Sequence, residues 1–278
     1  MSESSATTTL SASTHKSSPG ARVIAAIARN AFREAVRDRV LYNLVLFVLL
    51  LIAGSMFLGE LSAGQESKII VDLGLSAMLL FGAFIAIFVG VALVYKEIER
   101  RTLYAILSKP IGRGQFLLGK YLGLGLTLLI NVVIMGVGVS LALTYIHRGW
   151  DPLVLKIWPA ILLIYFELMI LTGVALLFSS FSSPALSALM TFFVFVIGHF
   201  SSDLKSLANS ASSAPGRLLF RALYYVLPNL THYSVITPTA HGIVPDAGAI
   251  GLAAAYTVVY SAVLLAAATL IFGRRNFK

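Results

Sequence analysis

The sequence contains no cysteine, and only 12% of its 278 residues are charged. The absence of cysteine excludes disulfide bonds and thiolate metal sites, although it does not identify a cellular compartment. A soluble domain of this length carries roughly twice that charged fraction. Because 58% of the residues are hydrophobic, the composition predicts an integral membrane protein.

Acidic residues are also few: 12 Asp and Glu stand against 21 Lys and Arg, for a net charge of +9. In a soluble protein this excess of bases would suggest binding to nucleic acid. Here the bases lie beside long apolar segments, so membrane orientation and anionic lipids explain them better. We therefore expect membrane lipids, and not nucleic acid, among the partners.

Six segments are apolar over about the 20 residues that a membrane-spanning helix needs. They cover residues 41–58, 73–95, 116–146, 157–179, 184–200 and 249–272. The first begins too late in the chain for a cleaved signal peptide, so we interpret it as a retained span. Residues 1–20 are rich in Ser and Thr and predict a disordered tail, which leaves residues 21–278 as one membrane domain.

The distribution of basic residues predicts the orientation. Fifteen of the 21 Lys and Arg residues lie before the first span, between the second and third spans, or after the sixth. The opposite side carries the other six: Lys68, Arg148, Lys156, Lys205, Arg217 and Arg221. By the positive-inside rule, both termini and the loop between spans two and three lie in the cytoplasm.

Two amphipathic segments flank these spans. Residues 22–40 place arginines on one helical stripe and small or aliphatic residues on another: Arg22, Arg29, Arg33 and Arg37, and Ile24, Ile27, Ala28, Ala31 and Ala35. This predicts a helix at the cytoplasmic interface, the alternative being an ordinary charged flank. Within the external segment 201–248, residues 215–227 place Arg217 and Arg221 one turn apart. They predict a short helix at the outer interface or dipping into it.

The loop between spans two and three is densely charged. Residues 96–120 carry two acids and six bases, and end in Gly114–Lys120, which fits the phosphate-loop spacing G-x-x-x-x-G-K. Tyr121 takes the place of the Ser or Thr that would bind magnesium, and the sequence leaves no room for a nucleotide-binding α/β domain. We interpret this end as a glycine turn, with Lys120 reaching for lipid headgroups.

The first part of this loop has the spacing of a short helix. Residues 97–108 would form a helix about 16 Å long, with the acids Glu97 and Glu99 in its first turn, as the helix dipole favours. Pro110 would end it. Three apolar side chains share one face: Leu103, Ile106 and Leu107. Such a helix is too short and too charged to span, so it is either a contact for a partner or a solvated loop.

The stretch EIERRTLYAILSKPIGRGQFLLGKYLG resembles the cytoplasmic loop of ABC-2 type transporter permeases. The matching positions are Glu97, Glu99, Arg100, Thr102, Leu103, Leu107, Pro110, Arg113, Phe116, Gly119 and Lys120. Arg101 stands where the family commonly has Gly. The basic first helix, the six-span layout, the long last external loop with LPNL and the RRNF tail resemble the family more loosely.

The resemblance implies an all-α membrane fold of six transmembrane helices, with an N-terminal interfacial helix, a cytoplasmic coupling helix between spans 2 and 3, and a short external helix between spans 5 and 6. It implies the permease subunit of an exporter in the cytoplasmic membrane of a prokaryote. The subunit would dimerise with a second copy or a related permease and dock on separate ABC ATPase subunits. ATP and magnesium would bind to that partner, with no cofactor or catalytic residue on this chain.

On this resemblance, the charged loop is the segment that docks on the ATPase. Its docking residues would be Glu97, Glu99, Arg100, Arg101, Thr102, Leu103, Leu107, Pro110 and Arg113. The sequence does not name the substrate. No metal site is predicted.

Polar residues inside the spans are candidates for a substrate pathway. Glu167 in the fourth span contacts a substrate or carries a proton, or it is tied to a polar group on a neighbouring helix, for example Asn131 or His199. Asn131 in the third span has the same two roles open, as a pathway residue or a helix–helix contact. Four glycines of the third span predict close helix packing: Gly123, Gly125, Gly136 and Gly138.

Two other functions stay open on the sequence. The chain could be a non-transporting membrane anchor or sensor subunit that still binds an ATPase. It could also be an intramembrane enzyme, which would need paired catalytic groups within the spans. Glu167 has no second acid nearby in the sequence, and His199 has only Asp203, which argues against the enzyme.

Overall fold

We describe a computed structural model of the chain over residues 19–36, 46–47, 50, 54, 65–99, 112–146, 149, 152–210 and 213–274. Within these ranges every regular element is helical and no strand occurs. The helices are α1 (Pro19–Ala35), α2 (Glu66–Phe84), α3 (Gly90–Glu99), α4 (Arg113–Ile146), α5 (Leu153–Ser179), α6 (Pro184–His199), α7 (Ser201–Ser210), α8 (Ala214–Val226), α9 (Ile236–Ala240) and α10 (Ala247–Arg274). A π-helical turn, Ile85–Val89, joins α2 to α3, and a 3₁₀ turn covers Leu230–Tyr233.

Four helical segments are long and apolar enough to cross a membrane: Glu66–Tyr95, Arg113–Tyr145, Leu153–Ser179 and Ala247–Ile271. They confirm the second, third, fourth and sixth predicted spans. The fifth is helix α6, which bends by 71° into α7, so only the pair together passes the same test. The first predicted span, 41–58, lies almost wholly outside the described residues.

Helix α5 is the centre of the bundle. It is apolar around its whole circumference, the composition of a helix buried on every side. It packs against α2, α3, α4, α6 and α10, and fully buried residues such as Ile164, Leu168 and Ala175 lie along it. Helix α10, in contrast, exposes large apolar residues along much of its length: Leu252, Val258, Val259, Val263 and Leu270. In a membrane protein this surface faces lipid or another protein.

The predicted arginine and apolar stripes are both present on helix α1. The apolar stripe packs against another helix of the protein. Arg22, Arg29 and Arg33 are exposed, whereas Ala31 and Ala35 are fully buried. The buried side packs against the first half of α4. A Cβ built on Gly123 would lie 2.5 Å from the carbonyl oxygen of Ala28, so α1 and α4 approach each other closely because this position carries no side chain.

The other predicted small-residue contacts hold in part. A Cβ on Gly125 would meet Met169 at 2.8 Å and one on Gly136 would meet Ile161 at 2.8 Å, both on α5. At Gly138 the nearest atom, on Phe47, is at an ordinary 3.8 Å. Close packing therefore explains three of the four glycines, and not Gly138.

The external segment is more helical than its sequence suggested. The expected helix at 215–227 is present as α8, and its N-cap is Ser213, whose hydroxyl accepts a hydrogen bond from Gly216 N at 3.3 Å. The polar stretch before it, about which the sequence pattern made no prediction, is helix α7. Helices α7 and α8 pack together as a hairpin.

Candidate functional site

The proposed ATPase-docking segment is described only at its two ends. Residues 100–111 lie outside the described ranges, and with them Arg100, Arg101, Thr102, Leu103, Leu107 and Pro110. Helix α3 runs on to Glu99, so the backbone of Glu97 and Glu99 belongs to the last turn of the preceding span. The prediction that these acids open a separate helix is wrong, because the span helix continues through them. On the far side, Arg113 opens α4.

The apparent phosphate loop is part of a helix. Gly114–Lys120 lies within the first turns of α4. The amide of Phe116 donates to Gly112 O at 3.1 Å and the amides after it donate within the helix, so the segment is not a loop wrapped around a phosphate. Lys120 is only 1% exposed, and its Nζ lies 3.4 Å from Glu34 Oε2 of α1. The same Nζ lies 5.8 Å from the ring centroid of Phe116. The expectation that Lys120 reaches lipid headgroups is therefore wrong: it points into the α1–α4 interface.

The polar centre of the bundle is a Glu–His pair. Glu167 on α5 is 1% exposed, and its Oε1 lies 3.3 Å from Nε2 of His199 at the end of α6. This is one of the two ties that the sequence suggested for Glu167. Helices α5 and α6 are joined by a short turn, which brings the middle of α5 to the end of α6.

A backbone contact of the His199 ring indicates which of its two nitrogens carries a proton. Its Nδ1 is 3.0 Å from the carbonyl oxygen of Phe195, so Nδ1 must be the protonated nitrogen. Nε2, the other ring nitrogen, faces Glu167 Oε1 at 3.3 Å. Both ring nitrogens are thus occupied, and Ser201, whose hydroxyl donates to Gly198 O at 2.8 Å, is not paired with the ring. A serine–histidine catalytic pair is not built here.

Beyond the contact with His199, the Glu167 carboxyl group is poorly satisfied. Neither oxygen has a well-aligned hydrogen bond from any described residue. A buried carboxyl group without such bonds is costly. An ionisable group in such a position within a span is a candidate for a functional role.

Asn131 lies at a similar depth but does not contact Glu167 through a hydrogen bond. Gly125 faces Met169 and Gly136 faces Ile161 across the antiparallel pair α4 and α5. Interpolation places Asn131 about level with Tyr165, within one turn of Glu167. Its Nδ2 donates to Thr127 O of its own helix at 3.0 Å, while Oδ1 has no partner among the described residues. The structure therefore brings the two candidates to one level without joining them.

A second polar cluster was missed at the sequence level. The hydroxyl of buried Tyr233 donates to Ala253 O at 3.0 Å and lies 2.6 Å from Thr257 Oγ1. It ties the external segment to α10. The signal in the sequence was the pair Thr257 and Ser261, two polar residues one turn apart in an otherwise apolar span and both buried. Among the described residues, no three His, Asp or Glu side chains converge as a metal site would require.

Comparisons with known proteins point to the same family that the sequence of residues 97–123 resembles. Residues 25–277 match the family model described as ABC-2 family transporter protein. A "Probable ABC transporter permease protein NosY" of Pseudomonas aeruginosa is 34% identical over 116 residues, which cover 40% of this chain and 42% of that protein. The protein of the same name from Stutzerimonas stutzeri is 31% identical over 127 residues, 44% of this chain and 46% of that protein. Each match thus covers less than half of the relative's length.

Proposed function

The chain belongs to the ABC-2 family of transporter proteins, and from that premise we propose that it is the permease subunit of an ATP-driven exporter. It lies in the cytoplasmic membrane of a prokaryote with both termini inside, and it works as a dimer with a second copy or a related permease. The family match over residues 25–277, nearly the whole chain, is the observation that carries this proposal. The two relatives named as probable permeases are consistent with it.

The energy for transport comes from a separate ATPase subunit. ATP and magnesium bind to that partner. The chain's own phosphate-loop-like spacing falls inside helix α4 and offers no cradle for a nucleotide. The segment from Glu97 to Arg113 is the docking site, because it carries the family's loop pattern. It connects the end of α3, in the second span, to the start of α4, in the third. A force applied there acts directly on α3 and α4, and through them on α5, which both contact.

The substrate pathway passes Glu167, with Asn131 at the same level. A buried carboxyl group in mid-bilayer, near a histidine and without other well-aligned hydrogen bonds, is an arrangement that a passing cation or polar group would stabilise. The exposed apolar surface of α10 is available to the second permease and to lipid.

Co-purification with an ATPase tests the docking proposal. The full chain is co-expressed with the ATPase encoded next to it, extracted in mild detergent and assayed for the retained ATPase and for ATP hydrolysis. Glu97→Lys with Glu99→Lys should release the ATPase without loss of the permease from the membrane. The matched control reverses two acids on the opposite side, Glu66→Lys with Asp203→Lys, and should keep the complex. If the Glu97→Lys, Glu99→Lys variant retains the ATPase at full yield, this segment is not the main docking site.

A further inference from the structure

The α7–α8 hairpin has two different sides. One carries basic residues from both helices together with tyrosines of α8, and the other carries exposed apolar residues. The inner surfaces of the hairpin pack together: α7 buries Leu204 and Ala208 toward α8, whereas α8 has no fully buried residue. On one flank, Lys205, Asn209, Arg221, Tyr224 and Tyr225 line a cleft of about 310 Å³. Arg217 lies one turn before Arg221 on the same side of α8.

The other flank of the hairpin is apolar and exposed. Leu219 is 58% exposed and Val226 is 72% exposed on α8, and Leu207 is 48% exposed on α7. Leu218, which is 72% exposed, lies on the cleft side instead, three residues before Arg221. Helical spacing places Leu207 on the side of α7 away from Lys205, as it places Leu219 and Val226 away from Arg221. Asp203, the one acid of the hairpin's described residues, is also on the side of α7 away from Lys205. The cationic cleft is thus free of a neutralising carboxylate from its own two helices.

The hairpin follows a helix that is too short to cross a membrane by itself. Helix α6 has 16 residues and is therefore about 24 Å long, short of the ~30 Å hydrocarbon core. The chain turns by 71° into α7 before that thickness is crossed. The end of α8 is held by Tyr260, whose hydroxyl donates to Val226 O at 3.0 Å. Tyr260 lies about 20 Å along α10 from Ala247, well below the outer end of that helix.

From these observations we propose that the cleft between α7 and α8 binds the phosphate headgroup of an anionic phospholipid. Lys205 and Arg221 face the phosphodiester, Tyr224 and Tyr225 line the same cleft, and the acyl chains cover the exposed Leu218 next to it. Arginine and lysine beside an exposed apolar side chain suit this ligand better than a soluble anion, because only a lipid satisfies both. The lipid proposal does not depend on the orientation of the chain in the membrane, which decides only the leaflet from which the lipid comes.

Lipid retention by the full-length protein tests this site. The protein is reconstituted in nanodiscs of phosphatidylcholine, with or without phosphatidylglycerol, and the lipids that remain bound after release are counted by native mass spectrometry. Lys205→Gln with Arg221→Gln should lower the retention of phosphatidylglycerol about tenfold. Lys68→Gln with Lys156→Gln removes two bases from the same side of the protein and should leave retention unchanged. Equal retention by all three proteins would overturn the proposal.

Hydrogen exchange separates a lipid from a free anion and does not require a variant. Phosphatidylglycerol should slow amide exchange in peptides that cover α7 and α8, relative to phosphatidylcholine alone. Inorganic phosphate added to phosphatidylcholine nanodiscs should not. If phosphate alone gives the same protection, the ligand is a soluble anion and the lipid assignment is wrong. If neither ligand changes exchange in the hairpin, the cleft is not an anion site.

Discussion

Lys120 Nζ lies 3.4 Å from Glu34 Oε2, and this ion pair joins the N-terminal helix α1 to the first turns of the third span. The lysine is almost fully buried, whereas the glutamate is 25% exposed. Helix α4 starts directly after the proposed docking segment, so α1 is fixed to the element that would receive motion from an ATPase. The pair thus makes α1 part of the moving bundle and not only a surface anchor.

The unequal burial of this pair predicts an unequal response to substitution. Glu34→Gln removes the carboxylate beside a buried ammonium group and should lower the free energy of unfolding by about 2 kcal/mol. Lys120→Met removes the buried charge itself and leaves a carboxylate that water can reach, so its cost should be ~1 kcal/mol or less. Thermal unfolding in detergent measures both. A larger loss for Lys120→Met than for Glu34→Gln would contradict the assignment of the lysine as the buried partner.

Gly123 and Gly138, both on α4, should respond differently to substitution by alanine. At Gly123 a new Cβ would lie 2.5 Å from a backbone oxygen of α1, while at Gly138 its nearest neighbour would be 3.8 Å away. Gly123→Ala should therefore cost about 1–3 kcal/mol through overpacking. Gly138→Ala is the matched control, since it gives the same gain in helix propensity without the clash. Similar melting temperatures for the two variants would mean that α1 does not pack on α4 this closely.

Much of the architecture follows from composition and periodicity. Runs of apolar residues are long enough to identify four of the spans, and the polar and apolar stripes of α1 are visible in the spacing of Arg29, Arg33 and Ala31. The direction of a single side chain is different, because it depends on which helix lies beside it. Lys120 has the sequence context of an interfacial lysine, but α1 covers that face of α4.

The Glu167–His199 pair could have been found by counting from the turn between spans four and five. Glu167 lies about 18 Å before Ser179 along α5, and His199 lies about 22 Å after Pro184 along α6. In a tight antiparallel hairpin these positions fall at nearly the same height. The rotation of each helix decides whether they meet, and no local pattern sets that rotation. The helicity of α7 was missed for a similar reason: its Ser and Asn content favours loops, and packing of Leu204 and Ala208 against α8 overrides it.

Two tyrosine hydroxyls should hold the external segment against α10. Tyr256 Oη accepts a hydrogen bond from Asn229 N at 3.0 Å, and Tyr260 Oη donates to Val226 O at 3.0 Å. Tyr256→Phe with Tyr260→Phe should weaken this attachment by about 1 kcal/mol per bond, ~2 kcal/mol for the two, seen as roughly 30-fold faster amide exchange across residues 226–229. Tyr145→Phe, at a residue that is 84% exposed, is the control. Unchanged exchange in the double variant would show that packing alone holds the segment.

Glu167 should matter more for coupling than for folding. Glu167→Gln keeps the size of the side chain but removes the group that can share a proton with His199. In a reconstituted complex with the ATPase, it should lower ATP hydrolysis about tenfold, the size of an ordinary coupling between two sites, with a melting temperature near that of the wild type. Thr172→Val is the control on the same helix, because the Thr172 hydroxyl donates to Leu168 O of its own helix and, among the described residues, to no neighbouring helix.

A second substitution tells whether the two residues of the pair act together. If they do, His199→Gln should lower hydrolysis to a similar extent, and the double variant should be no worse than either single one. Additive losses would mean that Glu167 and His199 act separately despite their 3.3 Å contact. Normal hydrolysis in Glu167→Gln, together with a lower melting temperature, would make the pair a structural tie between α5 and α6 and would move the substrate pathway elsewhere in the bundle.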